Sequence, residues 1–346
     1  MGRYLENYFD LFWDLHFGVK GDAIPADVRE FAESFHAVLA HQDPTQKIVH
    51  DNYMTVRARL AAVKQWIGDR IGDLVDGKTP RPEKTFAFWW MRNSEEGEDF
   101  TRNDAVVEVL HDFMAISQWG NMIYEIMLRL APASGDPEIR ASFKKTMESD
   151  SDRAPAQTFA PLTRFVMELF RTISPNHGSL SALEATGSRP DQTFNYIVIP
   201  HAAHPAHWQR PETFDPDRFK KAPTSHQIDE AKCEQMSFAR CPFDRTAFKV
   251  KDGRNVALHN SGFGAVYPVV DGKPWPVCDH AGFAPFGFGY RRCPAEQFTI
   301  QVFEDFLRKV WSSRIEFRKL EIAKPQLVPI GPGMVVGDDV GFVSAI

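Results

Sequence analysis

Along the first half of the chain, apolar residues recur at helical spacing, and along much of the second they fall in short alternating stretches. The pattern therefore predicts helices first and small strands later. Leu5 to Phe17 is densely apolar and stops before Gly18, as a buried helix does. Pro25 to Leu39 and Asn52 to Val75 read as amphipathic helices, the second lining one face with Val56, Leu60, Val63, Trp66, Ile67, Ile71 and Leu74. A polar turn, DGKTPRPEKT, leads to an aromatic patch from Phe86 to Met91. Asp104 is placed to cap a helix that runs through Leu130 and measures roughly 40 Å. Another helix covers about Pro137 to Met147, and RFVMELFRTISP reads as the next. Beyond Pro175, TFNYIVIP and KVKDGRNVALHN have the alternation and turn signals of small strands. A helix from about Pro294 to Ser313 and the strand-like pieces IEFRKLEI and GMVVGDDVGFVSAI close the chain. With no internal repeat and no low-complexity linker, residues 1–346 read as one mainly α domain with small β-sheets.

Composition narrows the functional classes. The chain has 346 residues, 43% of them hydrophobic, enough for a sizeable core. Its 28 Phe suit both that core and the walls of an apolar pocket. A net charge of −6 gives no basic field for nucleic acid, so no nucleic-acid partner is expected. No run of about 18 apolar residues predicts a transmembrane segment, and MGRYLENYFD lacks the charged-then-apolar pattern of a signal peptide. Glu6 also breaks the myristoylation pattern, and the expected location is cytoplasmic. Cys233, Cys241, Cys278 and Cys293 are too few and scattered for a disulfide scaffold. A zinc site from the first three with His259 or His280 lacks any C-x-x-C spacing, and ordinary thiols are the simpler reading.

The densest chemistry lies in FGFGYRRCPA, from Phe286 to Ala295. A cysteine ligates a metal as its thiolate, and Arg291 and Arg292 favour that anion. Gly287 and Gly289 allow tight turns and close approach to a flat ligand. Pro294 suits a helix start, so Cys293 falls at a helix N-terminus, the favourable end for a negative charge.

Phe286, Gly289, Arg291 and Cys293, in the order F-x-x-G-x-R-x-C, resemble the heme-binding loop of the cytochrome P-450 family, with Ala295 in place of the usual final glycine. Glu168 and Arg171 resemble the family's E-x-x-R pair, and RPETFDPDRF resembles its P-E-R-F segment, with Arg218 as the arginine that locks onto that pair. Taken alone, Glu168 and Arg171 are also what an exposed helix face carries. The resemblance implies a cytochrome P-450 fold and heme b (iron protoporphyrin), with Cys293 as axial iron ligand and Arg291 on a propionate. It also implies a structural Glu168–Arg171–Arg218 cluster, and a thiolate that favours O–O cleavage.

Two departures bear on the reaction. In dioxygen-activating members the central helix usually carries an acid-threonine pair that relays protons. Here its middle reads AISQWGNM, with Ser117, Gln118 and Asn121 as the polar groups. The string Q-x-G-N-M is similar to that of prostacyclin synthase, and a distal Asn is a feature of plant allene oxide synthases; those relatives rearrange or dehydrate a preformed peroxide. Gln118 and Asn121 are therefore the candidate catalytic amides, the alternative being that they only satisfy buried neighbours or face solvent. The second departure is length. LFWDLHFGVKG resembles a helix well inside the family fold, so the usual N-terminal block is expected to be truncated, supplied by another chain, or compensated locally.

The first reading is thus a heme-thiolate oxidoreductase of monooxygenase type, acting on a small apolar or lipid-like substrate, with peroxide-using or peroxide-rearranging chemistry ranked above reductase-driven monooxygenation. A redox partner, or a second chain supplying the missing part, is the implied macromolecular partner. The alternative is a non-enzymatic, partner-dependent heme-binding remnant. A hydrolase finds no G-x-S-x-G elbow, and Arg292 occupies the third glycine position of any dinucleotide loop.

Overall fold

The structure is a computed structural model. It describes residues 4–40, 47–94, 101–153, 159–173, 178–183, 192–197, 202–220, 247–249, 255–260, 266–271, 273–274, 278, 280, 282–287, 293, 295–321, 327–330, 333–336 and 340–344. Its contacts divide the chain into two compact units. One comprises Met1–Glu125 with Lys319–Gly341, and the other Ile126–Arg318 with Phe342–Ile346.

The first unit holds the amphipathic helices. They are α1 (Tyr4–Phe17), α2 (Ala26–Ala40), α3 (Lys47–Val75), α4 (Phe86–Ser94) and the start of α5 (Arg102–Leu130). α1 ends where the sequence pattern stops. Gly18 takes φ +68° and its N–H donates to the Asp14 carbonyl at 2.8 Å, a left-handed cap that a Cβ would disfavour. α3 begins at Lys47, earlier than the apolar stripe alone predicts. α5 is capped by Thr101, not by Asp104 as expected. The Thr101 hydroxyl accepts the Asp104 N–H at 3.2 Å and the Asp104 carboxylate accepts the Thr101 N–H at 2.7 Å, a reciprocal capping box. Trp13, Phe31, Ile67, Ile71 and Phe113 are fully or almost fully buried together. Aromatic edges organise this core, with Trp13 meeting Trp66 at 5.1 Å and Phe12 meeting Phe113 at 4.6 Å. His16, wholly buried, links α1 to α5 through Asp112 Oδ2 at 3.2 Å.

The second unit is built on α6 (Pro137–Glu148), α7 (Pro161–Thr172) and α8 (Glu296–Ser312). Asp136 caps α6 by accepting the N–H groups of Glu138 and Ile139, with Pro137 at the first helical position. α7 is buried nearly all round, from Leu162 to Arg171, and so sits at the centre of this unit. Phe165 packs on Phe143 and Phe214, and Phe170 packs edge-on against Phe303 of α8 at 5.1 Å. A polar clasp joins the same helices, the Thr163 hydroxyl donating to Glu304 Oε1 at 2.6 Å.

The strands expected beyond Pro175 are present. β1 (Gly178–Leu183) and β2 (Gln192–Ile197) form an antiparallel pair. β3 (Ala247–Lys249), β4 (Asn255–Asn260), β5 (Val266–Val270) and β6 (Lys273–Pro274) form a four-stranded antiparallel sheet in sequence order. β7 (Ile315–Lys319) pairs with the last strand, β10 (Val340–Ser344), while β8 (Leu327–Ile330) and β9 (Gly333–Val336) make a hairpin in the first unit. The described architecture is mainly α with small sheets, as the pattern predicts. Among the described residues no helix is long and apolar enough to cross a membrane.

Candidate functional site

Glu168, on the buried α7, is 0% exposed, which excludes the solvated-face reading of its pairing. Its carboxylate accepts Arg171 Nε at 2.8 Å and Arg171 Nη2 at 2.7 Å, the two-pronged geometry that suits a guanidinium. The same carboxylate accepts Arg218 Nε at 3.0 Å and the Asp215 N–H at 2.9 Å. Two cations against one anion leave a buried positive surplus, and backbone carbonyls absorb it. Arg171 donates to Ala202 and Thr213, and Arg218 donates to Gln209, Arg210 and Thr213. The network thereby sews residues 202–219 onto α7. It also holds Arg210 at φ +47°, a left-handed conformation for a non-glycine residue, whose carbonyl additionally accepts from the Thr213 N–H and hydroxyl.

Arg218 lies 5.6 Å over the Trp208 ring, and Trp208 stacks on His280 at 4.0 Å. Trp208 Nε1 donates to the Gly282 carbonyl at 3.0 Å, and the Gly282 N–H donates to His280 Nδ1 at 3.0 Å. A Cβ on Gly282 would collide with Trp208 Nε1 and come within 2.7 Å of His207 Cβ, so only glycine fits. Phe283, fully buried, meets Phe219 edge-on at 5.2 Å. His280 Nδ1 must be unprotonated to accept its bond, and burial, aided by neighbouring His207, lowers its pKa below 6.5.

This seat leads directly into the cysteine turn. The Gly287 N–H donates to the Ala284 carbonyl at 3.0 Å, with Gly287 at φ +77°. The Cys293 N–H donates to the Phe286 carbonyl at 2.8 Å, which closes the turn. The Phe286 ring packs on Phe170 at 5.0 Å, so α7 backs the turn as well as carrying the network. Cys293 is a partly exposed thiol, and its carbonyl accepts the Glu296 N–H at 3.4 Å at the start of α8. α8 starts at Glu296 with Ala295 as its cap, so Cys293 stands two residues before the cap and the helix begins later than Pro294 predicts.

Of the residues expected to bind a cofactor, Phe286 and Cys293 are joined in one turn, whereas Gly289 and Arg291 lie outside the described residues. Glu168, Arg171 and Arg218 form one cluster as expected. Gln118 and Asn121 lie in the helical backbone of α5, and their side chains are outside the described set. Cys278 is buried, Cys233 and Cys241 lie outside the described residues, and among the described residues no cluster of three or more His, Cys, Asp or Glu could hold a metal ion. Trp208, Gly282 and Phe170 were missed from the sequence, and His280 was considered there only as a zinc ligand. HWQ, directly before RPETFDPDRF, was the available hint for Trp208.

Neither a protein-family model nor a curated protein sequence matches the chain. Solved structures do, among them three cytochromes P450. The fold is the cytochrome P-450 fold. The retinoic acid-bound cyanobacterial CYP120A1 aligns with 99% of this chain and 68% of its own at a TM-score of 0.57 and 16% identity. The heme domain of cytochrome P450DA aligns with 100% of this chain and 68% of its own, at 0.55 and 13%. CYP109E1 from Bacillus megaterium, in complex with testosterone, aligns with 99% and 69%, at 0.55 and 10%.

Proposed function

We propose that residues 1–346 act as one heme-thiolate domain, an oxidoreductase of the cytochrome P-450 type for a small apolar or fatty substrate. The observation that carries this is the closed turn from Phe286 to Cys293, backed by Phe170 and seated by the Trp208–Gly282 clasp. Its donor chemistry fits iron protoporphyrin: a soft sulfur just ahead of the positive end of α8, in a turn whose Phe286 carbonyl accepts the Cys293 N–H. Cys293 would ligate the iron, Arg291 would hold a propionate, and Phe286 and Gly289 would allow the flat ring to approach. Bound in this way, heme supplies oxidative chemistry that no side chain offers.

The chain's own residues then decide the reaction class. Gln118 and Asn121 offer amide N–H donors, which bind and orient a peroxide oxygen of the substrate but are not acids that deliver a proton. The lack of an acid-threonine pair in AISQWGNM favours a preformed peroxide, used or rearranged as in the prostacyclin and allene oxide synthases, over reductase-driven monooxygenation. Retinoic acid and testosterone, held by two structural neighbours, support an apolar, lipid-like ligand. The test is turnover of a fatty-acid hydroperoxide without reductant by the heme-loaded chain. Wild type should turn over, and Asn121→Ala should lose about a hundredfold, the scale of one removed donor at a charged oxygen. Equal rates remove Asn121 from the reaction, and turnover only with dioxygen and a reductase replaces the peroxide reading by monooxygenation.

A further inference from the structure

One turn before Glu168 on α7, Arg164 is 7% exposed, yet its guanidinium is only partly engaged. Nη1 donates to the Phe159 carbonyl at 2.8 Å, Nε has no partner, and Nη2 stands 3.6 Å from Asp217 Oδ1, beyond hydrogen-bond reach. A guanidinium has five N–H donors, and burying them unmade is unfavourable unless something else uses them. Burial accordingly lowers the Arg164 pKa, and Asp217 opposes this only in part.

Arg164 lines an open groove of about 460 Å³ bounded by α6, the start of α7 and residues 214–220. The groove is separate from the cysteine turn. Lys145 and Lys220 add two ammonium groups to its wall, and Ser142, Thr146 and Ser149 add hydroxyls. The first turn of the twelve-residue α7 contributes the positive end of a helix. Two carboxylates also line it. Asp215 is committed, its Oδ1 accepting the Asp217 N–H at 3.0 Å. Asp217 is half exposed and pairs with Lys220 at 2.8 Å, so its carboxylate stands loosely where an incoming oxyanion would meet Arg164.

We propose that this groove binds a small ligand bearing an oxyanion, a phosphate or a carboxylate, with Arg164 as the buried cation and Lys145 and Lys220 at the rim. Asp217 is the internal competitor that the ligand displaces towards solvent. The oxyanion is the shared chemistry, and the identity of the bound probe separates its two sources.

The full chain is titrated by calorimetry with inorganic phosphate and, separately, with acetate, chloride holding the ionic strength constant. At least one probe should saturate. Saturation by phosphate alone assigns a phosphate ester, and saturation by acetate assigns a carboxylate. Arg164→Gln should weaken binding about tenfold or more, the scale of one lost charged hydrogen bond, whereas Asp217→Asn should tighten it. Should Arg164→Gln fail to fold by circular dichroism, the double variant Lys145→Gln/Lys220→Gln, at exposed positions, carries the test and should weaken binding similarly. Saturation by neither probe, or wild-type affinity in a folded Arg164→Gln or in the double variant, overturns the proposal.

Discussion

Glu168→Gln perturbs the unit carrying the cysteine turn most sharply. The carboxylate is fully buried, Oε1 accepting Arg171 Nη2, Arg218 Nε and the Asp215 N–H, and Oε2 accepting Arg171 Nε. Glutamine fits the space but turns one oxygen into a donor. With the amide nitrogen at Oε2, it faces Arg171 Nε donor to donor; flipped, it faces three donors at once. In both orientations two buried guanidinium groups lose their only anion within the network. Breaking a buried ion pair from one side costs about 3–5 kcal/mol. Domain stability is about 5–15 kcal/mol, so the loss is a large fraction of the total. Urea unfolding followed by far-UV circular dichroism measures it whether or not heme is loaded. A lowered midpoint at unchanged slope is the expected result. A loss below about 1 kcal/mol would refute the reasoning, because the arginines would then be satisfied by carbonyls alone.

Other perturbations test the seat of the turn and the helix starts. Gly282→Ala forces a methyl against Trp208 and His207 and should destabilise by about 1–3 kcal/mol in the same urea experiment. Phe170→Ala removes a 1% exposed ring from between Phe286 and Phe303 and should cost about 3–5 kcal/mol while weakening heme retention, read by the heme absorbance left after gel filtration. Thr101→Ala removes the α5 cap and should cost about 1 kcal/mol, leaving heme loading unchanged. His280 supplies a pH signature. Its folded pKa lies below 6.5, so the unfolded chain takes up the proton first, and stability should fall as pH drops below 6.5, levelling off below the folded value. Wild type measured against His280→Gln from pH 8 to pH 5 should show this difference, and parallel curves would contradict it.

Much of this was legible in the chain for identifiable reasons. α1 was readable to its last residue because a dense apolar run meets a glycine that must adopt positive φ. α7 was readable as a helix, but its depth was not, because Glu168 and Arg171 look like surface residues until Arg218, fifty residues later, completes their bonding. The capping box at Thr101 hid behind Asp104, since both are capping residue types and only the backbone settles which stands outside the helix. The Trp208–Gly282 bond spans seventy-four residues and leaves no local pattern. Arg164 gave no signal either, because its unpartnered Nε is a property of what surrounds it.

The central claim is that Cys293 supplies a thiolate to heme iron, and the carbon monoxide spectrum of the reduced, heme-loaded chain tests it most directly. The account predicts the strongly red-shifted Soret band of a thiolate complex, lost in Cys293→Ser while Cys278→Ser retains it. A red-shifted band that survives in Cys293→Ser would contradict the assignment.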